Sequence, residues 1–181
     1  MTRATAAATL NLGFLTVLHE PSGYLGGYLV TNPWGRPLEF RLSTAVQPNR
    51  IQQILYGETL RPYICAELIG KTLVDKAAVA AQLVITDCQP VLDLRLWIDV
   101  PVVWLAPAEN GLADALAANG SMVRPATDGV GALVCHPRFT SEAPAIRDLL
   151  AQLHVLDFAE PFTRIHEAIA EARKMGATSR G

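Results

Sequence analysis

Residues 10–43 read LNLGFLTVLHEPSGYLGGYLVTNPWGRPLEFRLS and contain three strand signals separated by two short turns. Leu10–Leu18 is rich in Leu, Phe, Thr and Val, which is typical of a largely buried strand, and Tyr24–Thr31 is a second run of strand-forming residues. Leu38–Ser43 alternates apolar and polar residues, the period of a half-solvated strand. The two turns, His19–Gly23 and Asn32–Pro37, are short and contain Gly and Pro. We therefore expect an antiparallel three-strand meander.

Helices and strands alternate after the meander. Apolar residues at helical spacing predict a helix from Pro48 to about Ala78, with a kink or break at Pro62. Further along, we predict strands at Ala81–Asp87, Val100–Leu105 and Val130–Cys135. We predict helices at Gln89–Trp97, Glu109–Ala118 and Ser141–Leu153, the last with Ser141 as N-cap. A C-terminal helix is expected to carry an apolar stripe of Phe158, Phe162, Ile165 and Ile169. This order indicates an α/β fold with a mixed sheet covered by helices.

The composition suits one globular domain. Half of the 181 residues are apolar and 18% are charged, so global disorder is excluded. We expect a flexible leader at 1–9, a single α/β domain at 10–175 and a disordered tail at 176–181. The longest apolar runs, such as Val100–Leu105, are much shorter than the roughly 18 residues of a membrane span. The first ten residues lack the hydrophobic centre of a secretory signal, which predicts a cytoplasmic protein.

Cysteines and charges limit the classes of function. The three cysteines show no CxxC spacing, which disfavours a disulfide framework and fits a reducing compartment. With 15 basic and 17 acidic residues the formal charge is −2. Proteins that grip duplex nucleic acid through many phosphates carry a basic excess. The balance therefore counts against a stand-alone, high-affinity nucleic-acid binder.

One junction matches a known family. Residues 83–92, LVITDCQPVL, are similar to the strand-to-helix junction of ribonuclease H-like proteins, in which a strand ends in Thr-Asp-Ser and a helix follows. Glu67 precedes Asp87 by 20 residues, much as the family places a glutamate in its first long helix. Glu20 lies where the family's first strand carries an aspartate before a glycine-containing turn. Over residues 10–153 the chain thus resembles a distant, divergent member of the ribonuclease H-like superfamily.

The resemblance implies a site and a chemistry. Asp148 follows the strand at 130–135, where a fourth acid would be expected, and His136 matches a loop histidine of some members. The implied catalytic residues are Glu20, Glu67, Asp87 and Asp148, with the first three as ligands of Mg²⁺ or Mn²⁺. Paired divalent ions of this kind activate water and stabilise the leaving oxygen in phosphodiester cleavage. The expected activity is metal-dependent hydrolysis of nucleic acid.

The chain departs from the family pattern at several positions. Glu20 is one methylene longer than aspartate and precedes Pro21 at a turn, and Cys88 replaces the serine after Thr-Asp. No basic, aromatic-interleaved stretch is present to hold a nucleic-acid strand.

Several alternatives stay open. Glu67 and Asp148 are also ordinary residues for the wet face of a helix, Glu20 is an ordinary turn residue, and Asp87 is a favoured helix N-cap. One alternative function is a catalytically inert ribonuclease H-like module for interaction or assembly. Another is an unrelated α/β enzyme or small-ligand binder with a pocket near Ala106 or His136.

The remaining features concern packing and partners. Closely spaced glycines at 23–27 favour tight turns or close packing rather than a phosphate loop. The C-terminal apolar stripe is expected to be core or a contact with a second copy of the chain. Trp34 and Tyr24 beside the two turns would suggest a protein-partner surface if they are exposed.

Overall fold

A computed structural model describes residues 10–108, 115, 118–125, 130–153 and 157–178. Within these residues, seven strands form one mixed sheet in the order β3-β2-β1-β4-β5-β7-β6. Their bounds are β1 Leu12–Glu20, β2 Gly23–Thr31, β3 Pro37–Leu42, β4 Leu83–Thr86, β5 Val102–Ala106, β6 Met122–Arg124 and β7 Ala132–Cys135. The predicted fold class, an α/β mixed sheet that begins with an antiparallel three-strand meander, is confirmed.

Connection length explains the strand directions. β1, β2 and β3 pair antiparallel through short turns, whereas β1, β4 and β5 run parallel. A parallel pair needs a long crossover, and the helical segment between β3 and β4 provides it for β4. β7 pairs antiparallel with both β5 and β6. β6 was not predicted, because its three residues are too few for a periodicity signal.

The helices surround this sheet. α1 is Arg50–Tyr56, and α2 denotes the three consecutive helical segments Leu60–Pro62, Tyr63–Lys71 and Thr72–Lys76, of which the middle one is π-helical. Two 3₁₀ segments follow, at Gln89–Leu96 and Pro137–Glu142. The last two helices are α3 at Ala143–Ala151 and α4 at Glu160–Thr178.

Two predicted helix features are wrong in detail. The break between α1 and α2 lies at Gly57, which has a φ of 52°, and not at Pro62. Pro62 is tolerated because it lies in the first turn of α2, where its missing N–H has no helical partner. Ser141 is not an N-cap, since α3 begins after Glu142 without a side-chain cap.

Other predicted segments fall wholly or partly outside the described residues. These are the leader at 1–9, nearly all of the helix at 109–118 and residues 179–181 of the tail. α4 continues to Thr178, three residues past the expected end of the domain at 175. The division of the chain into leader, single domain and tail remains a prediction. Within the described part of the chain, no helix is both long and apolar enough to cross a membrane.

The two faces of the sheet carry separate apolar cores because side chains alternate along each strand. On the face covered by α2, Leu15 and Val84 pack with Ile64 and Ile69 of that helix. We call this the α2 face. On the opposite face, here the α4 face, the buried side chains of the strands pack with α3 and α4, as in the set Phe14, Leu29, Ile85, Ile146, Phe162 and Ile165.

Of the aromatic and apolar residues singled out in the sequence, some are buried and one is exposed. All four residues of the C-terminal stripe are buried, so the stripe is core. Trp34 meets the condition set for a partner surface, since it is exposed. Tyr24 does not, because it is buried and stacks on His19 with ring centroids 4.1 Å apart.

Candidate functional site

Asp87 lies at the end of the central strand β4, next to polar residues of two other elements. The parallel register pairs Leu15 with Thr86, so Thr16 of β1 is the lateral neighbour of Asp87. His166 of α4 places Nε2 3.6 Å from Asp87 Oδ2 and 3.5 Å from Thr16 Oγ1. The three side chains form a small polar cluster on the α4 face.

The local chain after β4 explains how Asp87 is presented. The buried Thr86 hydroxyl accepts from the Cys88 N–H at 3.0 Å and donates to the Cys88 carbonyl at 3.3 Å, which closes a tight turn. The 3₁₀ segment that follows has Cys88 at its N-cap, without a side-chain cap. Asp87 therefore does not cap this helix, and its carboxylate is free to face Thr16 and His166.

Burial dominates the electrostatics of Asp87. Desolvation raises the pKa of its carboxyl group, while the hydrogen bond from Thr16 and the charge of His166 act in the opposite direction. Oδ1 is buried and has no hydrogen-bond partner among the described residues. A buried carboxylate oxygen without a partner is rare in folded proteins, and it is the one feature here that would suit a bound cation.

Glu20 lies on the same face but at a distance. It is four residues beyond Thr16 along β1, which corresponds to about 13 Å at a strand rise of about 3.3 Å per residue. Its carboxylate forms an ion pair with Arg173 of α4. The charge of Glu20 is thus neutralised by a cation of the protein itself.

Glu67 belongs to α2, which covers the opposite face of the sheet. Its negative charge acts on Tyr56, whose pKa is raised chiefly by a hydrogen bond to Tyr63 and to a smaller extent by Glu67. The sheet therefore separates the Glu67 helix from the cluster around Asp87.

Asp148 is exposed on α3, which packs beside β6. β6 lies three strands away from β4 in the sheet, or about 14 Å at a strand spacing of about 4.8 Å. Among the described residues, no group of three or more His, Cys, Asp or Glu side chains could hold a metal ion. As placed, the four acids do not fit a pair of ions about 4 Å apart, and their catalytic role remains a prediction.

His136 lies elsewhere in the fold. Its Nδ1 accepts from the Arg138 N–H at 3.1 Å, so Nε2 carries the proton that faces Asp93 Oδ1 at 3.3 Å. Because β7 runs antiparallel to β5, its last residue pairs with Val103 near the start of β5. His136 thus follows at the end of the sheet opposite to Asp87.

A cavity that the sequence does not indicate lies between β6 and α3. It has a volume of about 530 Å³ and is lined by Val123, Arg124, Pro125, Arg147, Leu150, Ala151, Leu153 and Phe158. The Arg124 guanidinium lies 4.8 Å from the centre of the Phe158 ring, and burial lowers its pKa. This groove could be found only after β6 was known, since Arg124 has no motif around it.

The chain was compared with protein-family models, curated proteins and solved structures. No family model matches the chain, and no curated protein matches it. Two crystal structures of endonuclease V from Ciona intestinalis are similar, both in complex with DNA containing an inosine followed by a ribo-adenosine. The first, with a 23mer, has a TM-score of 0.46 and 10% identity and covers 92% of this chain and 87% of that one. The second, with a 24mer, has a TM-score of 0.45 and 9% identity over 91% and 87%.

Proposed function

We propose that this chain is a catalytically inert ribonuclease H-like domain that serves as a protein-interaction module. The observation that carries the proposal is α1, a fixed helix that buries none of its residues. The metal-dependent nuclease is the competing function, and the two differ in which residues they require.

α1 presents an apolar face to solvent. Ile51, Ile54 and Leu55 are 66%, 64% and 77% exposed, and their i, i+3, i+4 spacing places them on one side of the helix. Exposed apolar patches of this kind mark interaction sites. The occupant that fits is a protein with an apolar groove, as in helix-in-groove recognition.

The helix is held at both ends, although it is short. Asn49 accepts from the Gln52 N–H at 2.8 Å while the Gln52 side chain accepts from the Asn49 N–H at 3.0 Å, which forms a complete capping box. At the other end, Tyr56 stacks on Tyr63 of α2 with ring centroids 4.4 Å apart. A seven-residue helix is marginal in water without such support. These contacts pre-organise the apolar face for a partner.

The surroundings of the acids support an inert domain. The neighbour of Asp87 on β1 is Thr16 rather than a carboxylate, Glu20 is paired with Arg173, and Glu67 is on the α2 face. The formal charge of −2 does not favour contacts with a polyanion. A cytoplasmic location is part of this proposal.

The test compares α1 with Asp87. A partner captured on the immobilised wild-type chain would be purified, and its affinity measured by calorimetry for wild type, an Ile51→Glu/Leu55→Glu variant and an Asp87→Asn control. We expect a loss of at least tenfold for the α1 variant, because two apolar side chains leave the interface as charges, and no change for Asp87→Asn. Equal binding by all three proteins would refute the role of α1.

A nuclease assay distinguishes the inert module from the competing nuclease function. Purified protein would be incubated with single-stranded DNA, duplex DNA, RNA and an RNA–DNA hybrid in Mg²⁺ or Mn²⁺. The proposal predicts no cleavage above the Asp87→Asn background. Metal-dependent cleavage that Asp87→Asn abolishes would establish the nuclease and overturn the inert module.

A further inference from the structure

β3 is an edge strand with an apolar row. It pairs with β2 on one side, and no strand of the described chain pairs with its other side. Leu38, Phe40 and Leu42 are each between 37% and 42% exposed. Natural edge strands are usually protected by lysine, bulges or a covering element, and a long apolar edge invites pairing with another strand. At β3 such devices are confined to the start of the strand: Pro37 at its first position and a register shift against β2 that leaves Leu38 unpaired.

The sequence of β3 is complementary to itself. Residues 38–42 read Leu-Glu-Phe-Arg-Leu. If two copies pair antiparallel about Phe40, each Leu38 faces Leu42 of the other copy, each Glu39 faces Arg41, and the two Phe40 residues meet on the two-fold axis. Opposite charges and apolar pairs directly across a strand pair are stabilising, and a two-fold interface requires this self-complementarity.

The directions of the backbone amides along β3 are compatible with the antiparallel pairing about Phe40. The Ser43 N–H donates to Gly26 O at 2.9 Å, towards β2. Backbone groups of successive residues point to opposite sides of a strand. The amides of Phe40 and Leu42 therefore point to the free edge, whereas the register shift against β2 interrupts the alternation at Leu38. In the antiparallel pair about Phe40, the two Phe40 residues are a hydrogen-bonded pair, and Glu39 and Arg41 form the closer, non-hydrogen-bonded pairs.

The charged pair is already ordered within one copy. The Glu39 carboxylate accepts from the Ala78 and Val79 N–H groups at 3.1 and 2.7 Å, and Arg41 Nε donates to it at 2.6 Å. Among the described residues the two outer guanidinium nitrogens of Arg41 have no hydrogen-bond partner, so they can donate to Glu39 of a second copy. On the α4 face, an apolar groove of about 220 Å³ borders Phe40, with Leu29, Ile165 and Ala168 among its walls.

We propose that two copies of this chain pair through β3, antiparallel and centred on Phe40, to form one continuous sheet across a two-fold axis. The inference goes beyond the proposed interaction function and does not rest on it, because α1 takes no part in this pairing.

The first experiment tests the register by mixing variants. Wild type is expected at twice the 19.5 kDa chain mass in light scattering at micromolar concentration. Leu38→Lys and Leu42→Glu alone should each weaken the dimer by at least tenfold, because each places a charge opposite leucine. An equimolar mixture should recover the dimer, since Lys at 38 then faces Glu at 42. Leu55→Lys, on α1, is the matched control and should stay dimeric.

Three results of the mixing experiment would overturn pairing through β3. A wild-type chain that is monomeric at all concentrations overturns the proposal, as does a dimer that Leu38→Lys and Leu42→Glu leave intact or that mixing fails to restore. Failure of the Leu55→Lys chain to bind a partner would concern only the α1 function and would leave the dimer unaffected.

A cross-link provides a second, independent measurement. Hydrogen-bonded antiparallel pairs have Cα atoms about 5.5 Å apart, within the range of a disulfide. Oxidation of Phe40→Cys with a disulfide reagent should therefore give a covalent dimer that reductant reverses. Trp34→Cys, at an exposed position outside β3, is the control and should remain a monomer on the gel. Equal cross-linking of both variants would contradict the register.

Discussion

At the scale of single residues, Asp87 combines burial with incomplete hydrogen bonding. Its carboxylate faces Thr16 and His166, yet one oxygen has no partner in the described structure, and burial raises its pKa. A carboxyl group whose pKa is raised on folding takes up its proton more readily in the folded state. Its ionised form therefore costs stability, and this cost appears as pH rises from the ordinary value of 3.8 through the folded pKa.

Because ionised Asp87 lowers stability, replacing it with a neutral residue should raise stability at neutral pH. The variant should have a higher melting temperature than wild type at neutral pH, and the difference should shrink as pH falls below 3.8 and both proteins become neutral there. Each kcal/mol recovered corresponds to about 2–4 °C for a chain of this size. Thermal unfolding over a pH series measures the difference in melting temperature between the variant and wild type. Asp148→Asn, at an exposed position, should not change the profile, and a pH-independent difference would contradict the assignment.

The sequence was informative about Asp87 but not about its neighbours. Thr86-Asp87 at the end of a strand is a local pattern, and the structure has β4 ending at Thr86. Thr16 and His166 are close to it only because of the register of β1 on β4 and the placement of α4. The one available signal was a threonine in an apolar strand, which is too common to single out. For the same reason, the separation of Glu20 from Asp87 could not be read from spacing along the chain.

At the scale of elements, two consecutive glycines of β2 set how closely the helices approach. A Cβ at Gly26 would overlap Ile69 of α2, and a Cβ at Gly27 would lie 2.5 Å from Cγ2 of Ile165 in α4. Because successive residues face opposite sides of the sheet, the pair admits one helix on each face. The sequence predicted tight turns or close packing at these glycines. The structure shows close packing, in which one helix lies against β2 on each face.

Both glycines should therefore be intolerant of alanine. Gly26→Ala and Gly27→Ala are each expected to lower the free energy of unfolding by about 1–3 kcal/mol, since the helix must move away from the sheet. Gly176→Ala in α4 is the matched control, because a Cβ at this position would meet no atom within 4 Å, and it should stabilise by about 0.5–1 kcal/mol through helix propensity. Urea unfolding at constant m-value measures all three. An unchanged midpoint for Gly27→Ala would mean that α4 does not approach β2 so closely.

Element boundaries were predictable where the signal was local. The meander follows from turn residues and alternation, and each of its strands lies within about two residues of expectation. The break before α2 was assigned to Pro62 because proline interrupts helices, whereas the chain places it at Gly57 and uses Pro62 in a first turn. That choice depends on where α2 packs, which is a tertiary property.

At the scale of the whole molecule, one sheet connects two cores. Neighbouring residues of β4, Val84 and Ile85, are both fully buried, the first towards α2 and the second towards α4. The strands are therefore stable only when both layers of helices are in place. Periodicity predicted the helices and the mixed sheet, but it contained no information about which helix covers which face.

This shared sheet predicts a single unfolding transition. Ile64→Ala in α2 and Ile165→Ala in α4 each remove a fully buried side chain, and each should cost about 2–5 kcal/mol. If residues 10–175 are one cooperative domain, both variants lower the same transition, and the calorimetric and van't Hoff enthalpies agree for each. Ile51→Ala, exposed on α1, is the control and should leave the melting temperature nearly unchanged. Two transitions, with each core variant shifting only one, would show that the layers unfold separately and that the chain is not one domain.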